Sequence, residues 1–229
     1  MIKYFANLLL LLNLAAWAQS GNHYQININP LFDNSQVILD STYQLNDETL
    51  TITSLKFYLS NFTFLQEDTA VFTAPNSFHL IDLSTPKSLA ISIDLPDSIS
   101  FNKLSFNLGI DSLTNDSGVM GGDLDPMKGM YWSWNTGYIN FKLEGSSPLC
   151  NNRANTFQYH LGGYLSPYCN VQQLTFLLDN SSNHTMIIEL SDFFKQLDLA
   201  SEHTIMSPSE KAVALSKLIA ESFTLKNAD

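Results

Sequence analysis

Apolar residues recur at every second position along most of this chain, and that period dictates a fold made of strands. Tyr24, Ile26 and Ile28 alternate with polar neighbours. So do Leu89, Ile91, Ile93 and Leu95, then Leu104, Phe106, Leu108 and Ile110. Two later sets, Ile139, Phe141 and Leu143, then Phe157, Tyr159 and Leu161, repeat the pattern. Successive strand side chains point to opposite faces, so such a segment buries one face and wets the other. A longer run from Leu50 to Leu65 changes phase near Ser60–Asn61, between Leu55, Phe57, Leu59 and Phe62, Phe64. That change predicts a bulge or a crossing between sheets. Turn formers at Pro75–Asn76, Thr85–Pro86, Pro96–Asp97, Gly121–Gly122 and Gly145–Ser146 separate the runs. Many short strands between such breaks point to an all-β sandwich or jelly-roll-like barrel. No repeat or low-complexity linker interrupts it, so residues 19–229 are expected to form a single domain.

One segment departs from period two. Ser207-Pro208-Ser209-Glu210 reads as a capping box with Pro at the first helical position. Ala212, Leu215, Leu218, Ile219 and Phe223 follow at helical spacing. An amphipathic C-terminal helix of about four turns, docked on the sandwich, is expected.

The first eighteen residues have the layout of a secretory signal: Lys3, an apolar run from Leu8 to Leu12, and the small-x-small pattern Ala16-Trp17-Ala18. The run is shorter than the about 20 residues needed to span a bilayer. No Cys follows the cleavage pattern to carry a lipid. A mature chain beginning near Gln19 and released into the periplasm or the medium, without membrane insertion, is the expectation. The formal net charge of -11 repels phosphate backbones and anionic membranes, which removes nucleic acid from the candidate partners. Cys150 and Cys169 are the only cysteines, and in an exported chain the default is one disulfide. It would enclose the strand carrying His160 and contribute roughly 3 kcal/mol in the chain-entropy model.

Chemistry-bearing residues are dispersed. His23, His79, His160, His184 and His203 form no pair at metal-ligand spacing, so any metal ligands must converge from distant strands. His160 precedes Gly162-Gly163, where a backbone can approach closely. Met120, Met127 and Met130 lie just before Tyr131-Trp132-Ser133-Trp134, and thioether sulfur is a soft donor suited to Cu(I). The same residues serve equally as core filling. Asp111, Asn115, Asp116, Asp123 and Asp125 offer oxygen ligands for Ca²⁺, but their spacing is not that of an EF-hand and they are ordinary turn formers. There is no nucleophile elbow, phosphate loop or dinucleotide fingerprint. Binding without catalysis is the expected mode of action.

Longer stretches are distinctive. Asp125-Pro126-Met127-Lys128-Gly129-Met130-Tyr131-Trp132-Ser133-Trp134-Asn135-Thr136-Gly137-Tyr138 runs on into Phe141-Lys142-Leu143-Glu144-Gly145. Phe157-Gln158-Tyr159-His160-Leu161-Gly162-Gly163 follows downstream. Leu55-Lys56-Phe57-Tyr58-Leu59-Ser60-Asn61, Leu108-Gly109-Ile110-Asp111 and Ile205-Met206-Ser207-Pro208 add to these, in the same order. Together they resemble the MbnP family, exported proteins named for a member encoded with methanobactin biosynthesis genes. The resemblance implies a secreted β-sandwich that handles copper. It further implies a copper site built from His and a Trp oxidised to kynurenine by a dihaem peroxidase-like partner. On this chain Trp132 or Trp134 matches the Trp and His160 the His, with His79 and His23 as further candidate ligands. Two departures stand out: only two Cys where some relatives carry four, and Trp at position 134 in place of a Trp-x-His spacing. The competing expectation is a secreted non-metal module, holding a glycan, peptide or partner protein on exposed Tyr131, Trp132 and Tyr138.

Overall fold

The computed structural model describes residues 22–134, 137–179 and 181–227; the expected signal, residues 1–18, lies outside them. The chain opens with β1 (Asn22–Phe32), β2 (Ser35–Gln36), β3 (Thr42–Leu45), β4 (Glu48–Gln66) and β5 (Thr69–Thr73). Next come β6 (Phe78–Asp82), β7 (Ala90–Leu95), β8 (Lys103–Leu108) and the short helix α1 (Ser112–Asp116). β9 (Tyr131–Trp132), β10 (Gly137–Ser146), β11 (Thr156–Gly162), β12 (Gln172–Leu177) and β13 (Asn183–Glu189) follow. α2 (Leu190–Lys195), β14 (Thr204–Ile205), α3 (Glu210–Glu221) and β15 (Phe223–Asn227) complete the series.

Among the described residues these strands form a five-stranded and a ten-stranded sheet. The smaller follows the path β15-β13-β1-β2, with β7 also on β1. Its central pair, β1 with β13, is parallel and joins Gln25 to Asn183. The larger follows β12-β8-β4-β10-β11-β14. β4 is its spine: β10 pairs with the first half and β8 with the second. The phase change read at Ser60–Asn61 is a bulge within this one strand. The β4–β8 register slips between Ser60 and Thr63, and Asn61 sits in the left-handed region at φ 56°.

The alternating residues build the core as expected. Ile26, Ile28 and Ile93 from the smaller sheet meet Phe57, Leu59, Phe62, Phe106 and Phe141 from the larger. Two depart from this: Ile110, which follows the end of β8 and the positive-φ Gly109, and Ile139, turned to the outer face where the β10–β11 register slips before Phe141. Both join a second buried cluster with Tyr58, Leu80, Leu124, Met130, Trp132 and Tyr138. The segment from α1 to β9 folds over the outside of the large sheet and closes this cluster.

The C-terminal helix forms, two residues later than the capping box predicts. Ser209 is its N-cap, accepting from Ala212 N, and Pro208 lies before it. It buries Ala212, Leu215, Ser216 and Ile219, and each large aliphatic contributes about 1.5–3 kcal/mol. Phe223, in phase with that stripe, instead begins β15 and pairs with Ile188 of β13.

The expected disulfide is absent; both cysteines are free. Cys150 is buried in the main core near the start of β11, where Ser147 N bonds Asn155 O. Cys169 is exposed on the loop beyond the far end of β11, where Asn170 N bonds Gly163 O. A seven-residue strand therefore lies between them, about 20 Å at a rise of about 3.3 Å per residue. A disulfide needs Cα atoms within about 7 Å. Burial also pushes the Cys150 thiol pKa up.

Candidate functional site

The candidate residues sit on the outer face of the large sheet. β9 and the start of β10 form a hairpin in which Trp132 pairs with Gly137 and Tyr131 with Tyr138. Its turn carries Trp134; Asn135 and Thr136 lie outside the described residues. Trp132 is buried and Trp134 is 64 % exposed, with ring centroids 5.4 Å apart. The Trp132 ring lies on Gly162 of β11. A Cβ there would stand 2.9 Å from Trp132 Cζ3 and 2.7 Å from the Tyr138 carbonyl, so only glycine fits. The close approach expected beside Gly162-Gly163 is therefore made by a Trp.

Alternation places His160 on the same face. Tyr159 and Leu161 enter the main core, so His160 and Gly162 both point outward. Two residues of strand separate the imidazole from the position against which Trp132 packs, about 7 Å. His160 is 7 % exposed, and its Nε2 meets Glu144 Oε1 of β10 at 2.6 Å. Lys142 Nζ stands 3.6 Å from the same oxygen. Burial pushes the His160 pKa down, with Lys142 acting the same way and the Glu144 hydrogen bond opposing. The imidazole is then neutral at neutral pH. A neutral ring beside a carboxylate carries its proton on Nε2 and leaves the Nδ1 lone pair available. Among the described residues Nδ1 has no hydrogen-bond partner.

The other histidines do not join it. His79 lies on the inner face of β6, edge-on to Phe62 at 5.5 Å, and burial pushes its pKa down. The β11, β10, β4 and β6 strands stand side by side there, which puts His79 roughly 14 Å across the sheet as well as on the opposite face. His23 is exposed on the small sheet, with Nδ1 2.7 Å from Asp94 Oδ1. His184, buried, meets Tyr24 Oη at 2.8 Å and Asp179 Oδ1 at 3.2 Å. Among the described residues no three His, Cys, Asp or Glu side chains group as metal ligands. The methionines do not converge as soft donors either: Met130 is fully buried and Met127 is 91 % exposed.

Four of the five Asp and Asn residues weighed as Ca²⁺ ligands act as caps and ties. Asp111 caps α1 through Thr114 N, and Asp125 accepts from Met127 N. Asn115 accepts from Tyr138 N and donates to Ile110 O. Asp123 accepts from Leu80 N at 3.0 Å and from Lys128 Nζ at 2.6 Å. These bonds hold the covering segment in place over the site. The aromatic platform of the non-metal reading is not present as expected: Trp132 and Tyr138 are buried, and Tyr138 packs edge-on to Tyr58 at 5.8 Å. Glu144 and Lys142 are the site residues that sequence reasoning missed. Their signal is plain in hindsight, since the polar positions of β10 face the same way as His160.

No curated protein matches the chain. A solved structure, MbnP from Methylosinus trichosporium, is similar with a TM-score of 0.64 at 12% identity, over 90% of this chain and 99% of that one. At that identity the likeness establishes a shared fold. The family model for MbnP matches residues 21–207, which span β1 to β14 and hold Trp132, Glu144 and His160. By that match, this chain belongs to the MbnP family.

Proposed function

We propose that this is an exported, non-catalytic copper-handling protein whose metal is held at His160 beside Trp132. One observation carries the reading: a buried imidazole, oriented by Glu144, keeps its Nδ1 lone pair free on the face against which Trp132 packs. A carboxylate behind a ligating histidine fixes its tautomer and raises its basicity. Family membership points the same way, since the family is linked to copper through methanobactin.

As encoded, the site does not fit tight copper binding. One imidazole does not hold Cu(I) tightly, and indole is no donor. Oxidation of Trp132 to kynurenine by a dihaem peroxidase-like partner supplies an aryl amine and a carbonyl on the same face. Trp134, exposed and 5.4 Å away, is the alternative position for that change. Among the described residues no helix is long and apolar enough to cross a membrane. Export itself rests on the signal-like first eighteen residues and on the family.

Metal analysis of protein purified from its native host tests the reading, together with the mass of a peptide spanning Trp132 and Trp134. Expected are bound copper, a kynurenine mass change that appears only with the oxidising partner, and loss of copper in His160→Ala. Native protein with intact tryptophans and no copper would sink it.

A further inference from the structure

The chain is strongly acidic, yet its basic residues are not scattered evenly. Three of the eleven Lys and Arg, namely Lys56, Lys87 and Lys128, line one cleft of about 410 Å³. It runs along the free edge of β6, between the covering segment and the turn that leads into β7, with His79 at its wall. We propose that this cleft binds a compact oxyanion, a phosphate or a small carboxylate.

The two carboxylates in the cleft leave ammonium hydrogens to spare. Asp82 pairs with Lys56 Nζ at 2.9 Å but also accepts from Ser84 N and Oγ. Asp123 pairs with Lys128 and also accepts from Leu80 N. Each ammonium has three hydrogens, and a carboxylate satisfied by other donors does not need all of them. Lys87 has no ion-pair partner among the described residues, and it stands at the mouth of the cleft, exposed. Lys56 is mostly covered, its side chain 23% exposed, so its charge is less screened by water than that of a surface lysine.

Lys142 lies directly opposite Lys56 on neighbouring strands, an arrangement that repels. Lys142 is offset by Glu144 and lies outside the cleft, whose own Lys56, Lys87 and Lys128 against Asp82 and Asp123 leave it positive by one within a chain of net charge -11. A concave positive patch inside a negative field concentrates anions where the rest of the surface repels them. A polyanion such as nucleic acid would meet that repulsion on every side; a small oxyanion fits inside the patch.

Titration of the mature chain with inorganic phosphate, and separately with succinate, followed by amide NMR shifts at low ionic strength, tests this. Saturable shifts confined to β6, the Pro86–Leu89 turn and Asp123–Lys128 are expected, with at least one of the two anions. Tighter phosphate identifies a phosphoryl ligand and tighter succinate a carboxylate. Lys87→Gln should weaken binding about three- to fivefold, the range of one exposed ion pair. Lys217→Gln, an exposed lysine on α3, should leave it unchanged. Linear shifts with neither anion saturating, or equal weakening by the two substitutions, overturn the proposal.

Discussion

The two faces of the large sheet bury clusters of opposite chemistry. On the inner face Phe57, Phe62, Phe64, Phe106 and Phe141 pack ring on ring, as in the Phe62–Phe106 stack at 5.1 Å. On the outer face the rings are Tyr58, Tyr138 and Trp132, and the two tyrosine hydroxyls are tied to the covering loop. Tyr58 Oη donates to Asp123 O at 3.0 Å and Tyr138 Oη to Leu124 O at 3.2 Å. Apolar burial is non-directional and sums over area; hydrogen bonds fix angles and distances. The inner cluster therefore supplies most of the stability, and the outer one supplies the placement that a site requires.

The contrast predicts a ranked set of effects. Phe57→Ala should cost about 3–5 kcal/mol and lower the global unfolding midpoint, read by circular dichroism. A smaller loss, with cooperativity intact, breaks the division. Gly162→Ala should cost about 1–3 kcal/mol, because the added methyl drives Trp132 off β11. Tryptophan emission should shift to the red while far-ultraviolet dichroism stays native; an unchanged spectrum means the contact is not tight. Tyr58→Phe should cost about 0.5–1.5 kcal/mol, the value of one hydrogen bond, and should speed amide exchange in the covering segment before the main core.

The pH response should be smaller still and comes from His160 and His79, both with folded pKa values below the ordinary 6.5. As pH falls below 6.5 the unfolded chain takes up protons that the folded chain resists, so stability declines in that range and is regained as pH rises. Denaturant midpoints at pH 5 and 7 measure this, and the slope should shrink in the His160→Gln, His79→Gln double variant. The smallest expected effect is none: reductant should leave the thermal midpoint unchanged, and a thiol reagent should label Cys169 in the folded protein but Cys150 only on unfolding.

Much of the fold is legible because alternation in β1 and β7 reports directly which face is buried, while in β8 and β11 it marks the core face although the other face is partly covered too. The failures share a cause: they depend on what lies next to a segment in space. Ile139 was misassigned because one extra residue at Asn140 reverses the face, and no local signal marks that slip. Phe223 continues the helical stripe in sequence, yet pairing with Ile188 claims it for a strand. The cysteine spacing suits a loop and carries no hint that β11 holds the two ends apart. At the site, Trp132 and His160 enter the sequence reading only through the family-like residues around them, and their common face follows from pairing between strands, which no single segment reports; His79 and His23 are candidates because histidine is a ligand type. Facing sides of a sheet cannot be told apart from a single strand's pattern.

The parallel pairing of Gln25 with Asn183 has a kinetic meaning. β1 is the first described strand, and its main partner β13 is followed only by α2, β14, α3 and β15. One edge of β1 can take β2 and β7 early, but the smaller sheet is completed only when β13 and β15 arrive, and closing so large a loop slows that last step. Until β13 is made, that edge of β1 stays unpaired, so the native smaller sheet cannot close on a nascent chain.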